Sequence, residues 1–357
     1  MNKNHKLFFI ILVVLGILIR IFALIFYYTK SLTSPLGLES FGDVSLNFYD
    51  LNSIFTGEWI WSQDELAYPP LSIYFLLLFR ILSFNNLYIF FFYCFLVEIL
   101  TAGVFYFVLK RFKITQYKLV FGFLLINPLY YTSFVFRGIK SGYHVTDSLF
   151  CIFLLLALYS YPKESKKQFY FFSAVALSAK WYTLPILILF FIKYLREKNW
   201  NEMKNFIIFS GIPVFIFLIS PVLYLPNYLD LYFSWLSGHS FTAMIPIYFK
   251  IIPFFLILLI ASYKIKEYDL LDLTFLSFLM MVSVLWWSRL YVRYLAPLIY
   301  FGHIFVHEDI YTFNIEISEK SMKFSLNNHS VTYIVSIIGL IFSILITIFE
   351  YSYFGLL

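Results

Sequence analysis

Residues 169–192 read FYFFSAVALSAKWYTLPILILFFI, and the only charge in this apolar stretch is Lys180. As one helix the stretch would be about 36 Å long, at 1.5 Å per residue, which is enough to cross the hydrocarbon core of a bilayer once. As two short helices that meet at Lys180-Trp181, it would cross twice. The choice between these interpretations decides on which side of a membrane every later loop lies.

The composition of the whole chain points to lipid as its solvent. Of 357 residues, 61% are hydrophobic and only 13% are charged, with a mean hydropathy of +0.82. A soluble surface needs more polar residues than this. We therefore expect an all-α integral membrane protein that forms a single domain over residues 1–357. The net charge of +6 lies in short clusters between apolar runs, which is typical of cytoplasmic loops and not of nucleic-acid binding.

Apolar runs long enough to enter or cross a bilayer recur along the chain. The first is interpreted as a retained span, because it lacks a small-residue cleavage site. With 168–195 counted as two, the sequence predicts about eleven spans. They lie near 7–29, 87–109, 119–136, 145–161, 168–180, 181–195, 206–226, 248–263, 270–287, 294–307 and 331–350.

Basic residues between the spans set the orientation. Cytoplasmic loops carry an excess of lysine and arginine, so four basic loops are assigned to the cytoplasm, together with the N-terminus. This assignment holds only if the chain turns at Lys180-Trp181 and if the apolar segment 69–84, which contains Arg80, does not span. We therefore interpret 69–84 as a re-entrant or interfacial helix. The four basic loops are 110–118, 163–167, 193–204 and 264–266.

Two loops are longer than the others. The first outer loop, 30–68, carries six acidic residues against one lysine, a charge pattern that suits chemistry at the membrane surface better than transport. The longest inner loop is 307–330, where alternation of apolar and polar residues over 312–318 predicts a small hairpin. We assign this inner loop no role.

Asp43 is the candidate catalytic residue of the first outer loop. A carboxylate near the headgroup level can meet both a lipid-linked donor and a water-borne hydroxyl, and can take the proton of that hydroxyl as a general base. The alternative is that Asp43 caps a short helix, as a Gly-Asp pair often does. The spacing of the residues does not decide between these two roles.

Short motifs follow one another in a fixed order from the first span to about residue 300. They are Gly42-Asp43 with Tyr49 and Tyr68-Pro69-Pro70, then Glu98 within 94–102, Asn127-Pro128, 142–149, Lys180 with Tyr182 and Pro185, and Arg293-Tyr294 with Pro297. In this order they resemble the GT-C class of membrane glycosyltransferases, which use dolichyl- or undecaprenyl-phosphate sugars. The second-span motif resembles the mannosyltransferase that adds the first mannose to GPI anchors.

The resemblance implies a GT-C-like bundle and a reaction. A hexose, with mannose favoured, would pass with inversion from a polyprenyl phosphate to a hydroxyl of a lipid-linked or protein acceptor, on the extracytoplasmic side of a prokaryotic plasma membrane or of the endoplasmic reticulum. The 30–68 loop would be catalytic, with Asp43 as base. No soluble cofactor is required, and the acidic residues leave room for a divalent metal. The sequence departs from the family pattern at two points. Asp43 is followed by Val44-Ser45, where that mannosyltransferase family has a second acidic residue, and His144 stands where Gln is usual. The resemblance therefore does not determine the donor sugar or a metal.

Charges inside a bilayer cost about 2.5 to 3.5 kcal/mol each on insertion scales, so each is a candidate site residue. Lys180, at the tip of the predicted hairpin, could bind the carrier phosphate or only extend towards the surface. Arg289 and Arg293 lie one helical turn apart, so both guanidinium groups could bind one phosphate. The alternative is that they anchor the helix at the membrane interface. Glu98 is either paired with a buried cation or part of the site.

The remaining substrate-binding candidates lie in outer loops and motifs. Asp147 could hold a sugar hydroxyl or the acceptor, or act as a second carboxylate. His144 could bind a metal or phosphate, although such a residue is more often a structural hydrogen-bonder. His239 could contact acceptor or lipid. The resemblance adds Tyr68 and Tyr294 through their motifs.

Two other functions are compatible with the same residues. A transporter or flippase of lipid-linked sugars would share the phosphate-binding cations but would not need Asp43 as a base. The chain has no internal repeat of the kind found in many secondary transporters. A third hypothesis is a non-catalytic subunit of a larger glycosylation complex.

Topology reporters fused after Lys113 and after Lys166 should both report the cytoplasmic side, because both positions lie in basic loops. The measurement is the activity of paired reporters that are active on opposite sides of the membrane. Outer-side activity at both positions would contradict the predicted map.

Overall fold

Helices dominate the computed structural model of the chain, as the composition predicts. The structure describes part of the sequence, and every structural statement below refers to that part. The described residues are 3–33, 43–52, 55, 68–114, 117–126, 145–163, 165–220, 247–263, 265–274, 276–277, 280, 304, 311–317 and 320–326.

The described helices are α1 (Lys3–Thr33), α2 (Asp43–Asp50), α3 (Pro70–Leu82), α4 (Leu87–Arg111), α5 (Tyr117–Ile126), α6 (Val145–Ser160), α7 (Lys166–Ala179), α8 (Leu184–Glu197), α9 (Trp200–Val214) and α10 (Ile247–Tyr263). Short 3-10 turns follow α6 and α7, at Tyr161–Lys163 and Trp181–Thr183, and a π-turn, Phe215–Ile219, extends α9. Two strands are also described, β1 (Tyr311–Ile317) and β2 (Lys320–Leu326).

Three helices in the described part of the chain are long and apolar enough to cross a membrane. Their apolar segments are His5–Ile25 in α1, Leu87–Arg111 in α4, and Trp200–Ile219 in α9 with its π-turn. They correspond to the first, second and seventh of the predicted spans. These lengths and compositions indicate a membrane protein.

The apolar stretch around Lys180 forms two helices, as the loop charges predict. α7 ends at Ala179, Lys180 has extended backbone angles, and α8 begins after the 3-10 turn. Pro185 explains why one continuous helix does not form, because a proline ring clashes with the carbonyl four residues earlier and has no N–H to donate to it. The two helices fold back on each other, and the hydroxyls of Tyr170 and Tyr194 are hydrogen-bonded between them.

The basic loops lie together at one end of the bundle. Phe112, after α4, stacks on Tyr161, after α6, with 6.1 Å between ring centroids. Lys166 lies 4.0 Å from the Glu202 carboxylate, which joins the second basic loop to the third. These contacts agree with the assignment of the loops to one side.

The fourth basic loop joins the same end through α8. Lys193 Nζ donates to the carbonyl oxygens of Ile265, at 3.2 Å, and Tyr268, at 2.7 Å. The Tyr161 hydroxyl also donates to Asp269. All four basic loops are thus connected by direct contacts, and we refer to this part of the bundle as the basic end.

Helix directions follow from contacts at two levels. Thr101 Oγ1, on α4, donates to the Ser148 carbonyl of α6 at 3.2 Å, and the Phe112–Tyr161 stack joins the same two segments nearer the basic end. α4 and α6 therefore both run towards the basic end. Two spans that are connected through one intervening span, here α5, must run in the same direction.

α3 corresponds to the segment interpreted as re-entrant or interfacial. With 13 residues it is about 20 Å long, too short to cross a hydrocarbon core of about 30 Å. Its start lies beside α7, where Ser72 Oγ donates to the Ala179 carbonyl at 2.8 Å. Its end lies beside α2, where buried Arg80 donates to the Phe48 carbonyl at 3.2 Å and also contacts Asn52.

The buried guanidinium of Arg80 has hydrogen-bond acceptors and aromatic rings as partners. It lies 3.9 Å from the centroid of the Phe48 ring and 5.1 Å from that of Phe55, and it donates to Asn85 as well. A buried arginine is tolerated when carbonyl oxygens and aromatic faces replace its water. This cation therefore fixes α2 on the end of α3.

The predicted hairpin in the 307–330 loop is present. β1 and β2 pair in antiparallel register, with Phe313 opposite Phe324 and Ile315 opposite Met322. The period-2 alternation of this segment predicts that register, because successive residues of a strand alternate between faces. Within the described residues, this hairpin is the exception to a helical chain.

α1 and α5 approach closely because each has a glycine at their contact. A Cβ on Gly16 would lie 2.6 Å from Leu125 Cβ, and a Cβ on Gly122 would lie 2.9 Å from Leu12 Cβ. Small residues allow helix backbones to pack closely in membranes, where dispersion contacts drive association.

Gly16→Ala should destabilise the protein by about 1 to 3 kcal/mol, because the new methyl group overpacks the contact with Leu125. Gly103→Ala, on α4, is the matched control, since a Cβ there would meet nothing within 4 Å. It should leave stability equal or slightly higher, as alanine favours helix. Thermal unfolding in detergent measures both, and equal effects of the two substitutions would argue against the α1–α5 packing.

Candidate functional site

The structure describes the side chains of three of the predicted site residues, namely Lys180, Asp147 and Tyr68. Asp43 is the first residue of the short helix α2, so a helix that Asp43 could cap is present. The side chain of Asp43 is not among those that the structure describes. The other predicted site residues also lie outside the described residues: His144, His239, Arg289, Arg293 and Tyr294.

Lys180 and Asp147 form a buried ion pair. Lys180 Nζ donates to Asp147 Oδ1, and the side chains are 15% and 5% exposed. The ammonium also lies 4.7 Å from the centroid of the Tyr182 ring. The alternative in which Lys180 extends to the surface without a partner is therefore wrong, because a carboxylate from a different helix neutralises it.

Backbone geometry places both members of the pair. Asp147 lies in the first turn of α6, where the helix dipole favours a carboxylate. Lys180 is the C-cap of α7, with φ −159° and ψ 141°, between two helices that cannot join. The pair therefore connects the start of one helix to the tip of the α7–α8 hairpin.

The Tyr-Pro-Pro motif lies next to this pair. Pro69 and Pro70 are buried and start α3, and Tyr68 is half-buried against the core. The hydrogen bond from Ser72 to the Ala179 carbonyl holds the start of α3 beside Ala179, the residue that precedes Lys180. The structure thus brings together residues from three of the motifs that the sequence singles out.

The pair lies well away from the basic end of the bundle. Lys180 and Asp147 each lie about 20 Å along their helices from the basic end, at 1.5 Å per residue. A hydrocarbon core is about 30 Å thick. With the basic end at the inner headgroups, the pair would lie about two thirds of the way across this thickness.

A second buried ion pair resolves the two alternatives for Glu98. Arg20, on α1, donates from Nη2 to Glu98 Oε1 at 2.7 Å and from Nε to Oε2 at 3.2 Å. Arg20 Nη1 also donates to the carbonyl oxygens of Gly16 and Leu125. Glu98 is thus paired with a buried cation.

Sequence reasoning missed Arg20, although a signal was available. Arg20 is a charge in the middle of the first predicted span, and the cost of intramembrane charge that singles out Glu98 applies to it equally. Two opposite charges in separate spans are each other's natural partners. Applying the rule to every span would have suggested the pair.

The acidic residues of the two ion pairs lie at the same level of two neighbouring helices, α4 and α6. Thr101, three residues after Glu98, donates to the carbonyl of Ser148, the neighbour of Asp147, and to that of Val97. Glu98 and Asp147 are also at similar distances, about 20 Å, from the basic end of their helices. The described part of the bundle therefore has a layer of paired charges at one level.

An apolar cluster separate from the main core lies beside the Lys180–Asp147 pair. Its buried members are Leu71 on α3 and Val175 and Ala179 on α7. Phe217, on the π-turn after α9, packs against it. The cluster itself is buried, whereas no residue of the π-turn that packs against it is buried.

A cavity of about 1080 Å³ lies at the basic end, away from the two buried ion pairs. Its lining includes four lysines and four acidic residues, among them Lys193 and Glu197, which are themselves paired at 2.7 Å. The charges balance, so this cavity offers no net charge to select an anion or a cation.

In the described ranges, no group of three or more His, Cys, Asp or Glu residues could hold a metal ion. His144, a candidate metal or phosphate ligand, lies outside those ranges. No family model, curated protein or solved structure matches the chain. The proposed resemblance therefore rests on the motifs in the sequence alone.

Lys180→Met and Asp147→Asn should each destabilise the protein by about 3 to 5 kcal/mol, because each leaves a buried charge without its partner. The double variant should lose less than the sum of these values, since no unpaired charge remains. Thermal unfolding in detergent provides the measurement.

Lys166→Met is the control for this cycle, because Lys166 is half exposed and its pair with Glu202 is long. It should cost less than about 1 kcal/mol. Strictly additive losses in the Lys180 and Asp147 variants would show that the two side chains do not interact.

Proposed function

We propose that the chain is a polytopic glycosyltransferase of GT-C-like architecture, with about eleven spans. It moves a hexose, with mannose favoured by the resemblance, from a polyprenyl phosphate to a hydroxyl acceptor on the extracytoplasmic side. The observation that carries the proposal is the Lys180–Asp147 ion pair. It joins residues from two separate motifs of the resemblance, 33 positions apart in the sequence.

The surroundings of the pair support this choice. A buried cation next to a buried apolar cluster, on which an exposed apolar π-turn packs, suits a phosphate that arrives on a hydrocarbon chain. A buried carboxylate beside it suits the hydroxyls of a sugar. The start of α3, with the Tyr-Pro-Pro motif, forms another side of the same region.

The position of α3 supports a re-entrant helix after the first outer loop. Its start contacts the hairpin tip and its end contacts α2, so α3 runs from the hairpin tip to α2 before α4 begins. Through Arg80, α3 also holds the helix that begins at Asp43. A catalytic loop needs such a rigid support.

In the proposed reaction Asp43 accepts the proton of the acceptor hydroxyl. The hydroxyl oxygen attacks the anomeric carbon from the face opposite the phosphate, and the bond between that carbon and the phosphate oxygen breaks. The electron pair leaves with the polyprenyl phosphate, whose charge is stabilised by Lys180 together with Arg289 or Arg293. Stereochemistry and donor are taken from the resemblance.

The partners follow from this reaction. They are a polyprenyl-phosphate sugar, a lipid-linked or protein acceptor and the membrane itself. The activated donor supplies the driving force, so no soluble cofactor is required, and a divalent metal near the acidic loop stays open to experiment.

Purified protein in detergent, given a radiolabelled polyprenyl-phosphate sugar and a lipid-linked acceptor pool, should release polyprenyl phosphate and label the acceptor. Asp43→Asn should lower this transfer by about 100-fold or more, the usual contribution of a general base. Asp50→Asn, at the other end of α2, is the matched control and should keep transfer near the wild-type rate.

Full transfer by Asp43→Asn would show that Asp43 is not the base. Absence of transfer by the wild type with mannose and glucose donors, together with movement of lipid-linked sugar across vesicles that contain the protein, would instead favour the transporter.

A further inference from the structure

The two buried ion pairs differ in how tightly their cations are held. The Arg20 guanidinium donates twice to Glu98 and twice to carbonyl oxygens, from the middle of a continuous helix. Lys180 stands on extended backbone at a helix break, and its ammonium is carried by a flexible four-carbon stem. Arg20 is therefore fixed, whereas Lys180 can change partner with small movements of its side chain.

The Lys180 pair also lies where a lipid can approach it. Phe215, Ile216 and Ile219 of the π-turn form an exposed apolar surface, and Phe217 of the same turn packs against the buried Leu71 and Val175 beside the hairpin tip. A hydrocarbon chain lying along this surface would bring a terminal phosphate to the level of Lys180. π-turns within α-helices are frequent at functional sites.

Charge balance makes the resting pair a poor anion site. Lys180 and Asp147 are opposite unit charges in hydrogen-bond contact, so together they offer an incoming phosphate little net attraction. Asp147 competes with the phosphate for the same ammonium. Removal of the carboxylate charge should therefore increase the affinity for a lipid phosphate, and removal of the ammonium should decrease it.

We propose that the phosphate of an isoprenyl-phosphate lipid displaces the Asp147 carboxylate from Lys180, so that the Lys180–Asp147 ion pair is the closed state of the donor site. Asp147 then sets how tightly the lipid phosphate binds, and it becomes available to the sugar only when the donor is present. This inference rests on the proposed function, since it assigns a donor to the same site.

Binding of farnesyl phosphate, a short isoprenyl phosphate, to the full-length protein in detergent tests the proposal, with farnesol as the uncharged control ligand. Asp147→Asn should bind farnesyl phosphate at least tenfold more tightly than the wild type, and Lys180→Met at least tenfold more weakly. Farnesol affinity should be the same in all three proteins. Lys166→Met, at the basic end, should bind as the wild type does.

Folded Asp147→Asn that binds farnesyl phosphate no more tightly than the wild type would overturn the proposal. If that variant does not fold, the double variant Lys180→Met/Asp147→Asn takes its place, because it contains no uncompensated charge. It should bind farnesyl phosphate at least tenfold more weakly than the wild type and farnesol equally. Undiminished farnesyl phosphate affinity in the double variant would equally overturn the proposal.

The binding experiment is independent of sugar transfer. If the affinities change as described but no sugar is transferred, the displaceable ion pair stands and the transferase proposal fails. If sugar is transferred but Asp147→Asn binds no more tightly, the transferase proposal stands and the displacement fails.

Discussion

Neutralisation of charge inside an apolar bundle is the constraint on which the described structure depends. An unpaired charge in hydrocarbon costs several kcal/mol, so each buried cation must meet a carboxylate or carbonyl oxygens. Arg20 meets Glu98 and Lys180 meets Asp147, and Thr101 connects the two helices that carry the acids. These contacts set the relative height of the helices, which dispersion contacts between apolar faces would leave free to slide.

The two ion pairs differ in their surroundings. The Arg20 pair, between continuous helices, suits a permanent link, because its guanidinium makes four hydrogen bonds. The Lys180 pair lies at a helix break beside the start of α3 and a buried apolar cluster.

Sequence reasoning predicted the local features well, because each depends on residues close together in the chain. The break at Lys180 and the grouping of the basic loops were predicted from loop charge, and the short α3 from the length of its apolar segment. It predicted the ion pairs between helices poorly. Lys180 and Asp147 were both expected in the site without being matched, and Arg20 was missed, since partners on different helices leave no local pattern in one sequence. The role of Asp43 rests on the motif resemblance and stays a prediction.

The most direct measurement is a cryo-EM structure of the protein in lipid nanodiscs with a bound isoprenyl phosphate. The predicted result is a lipid phosphate in hydrogen-bond contact with Lys180, within the hydrocarbon thickness, with Asp147 separated from the ammonium and Arg20 still paired with Glu98. A phosphate bound elsewhere, with Lys180 and Asp147 still in contact, would contradict both the donor site and the displacement on which it depends.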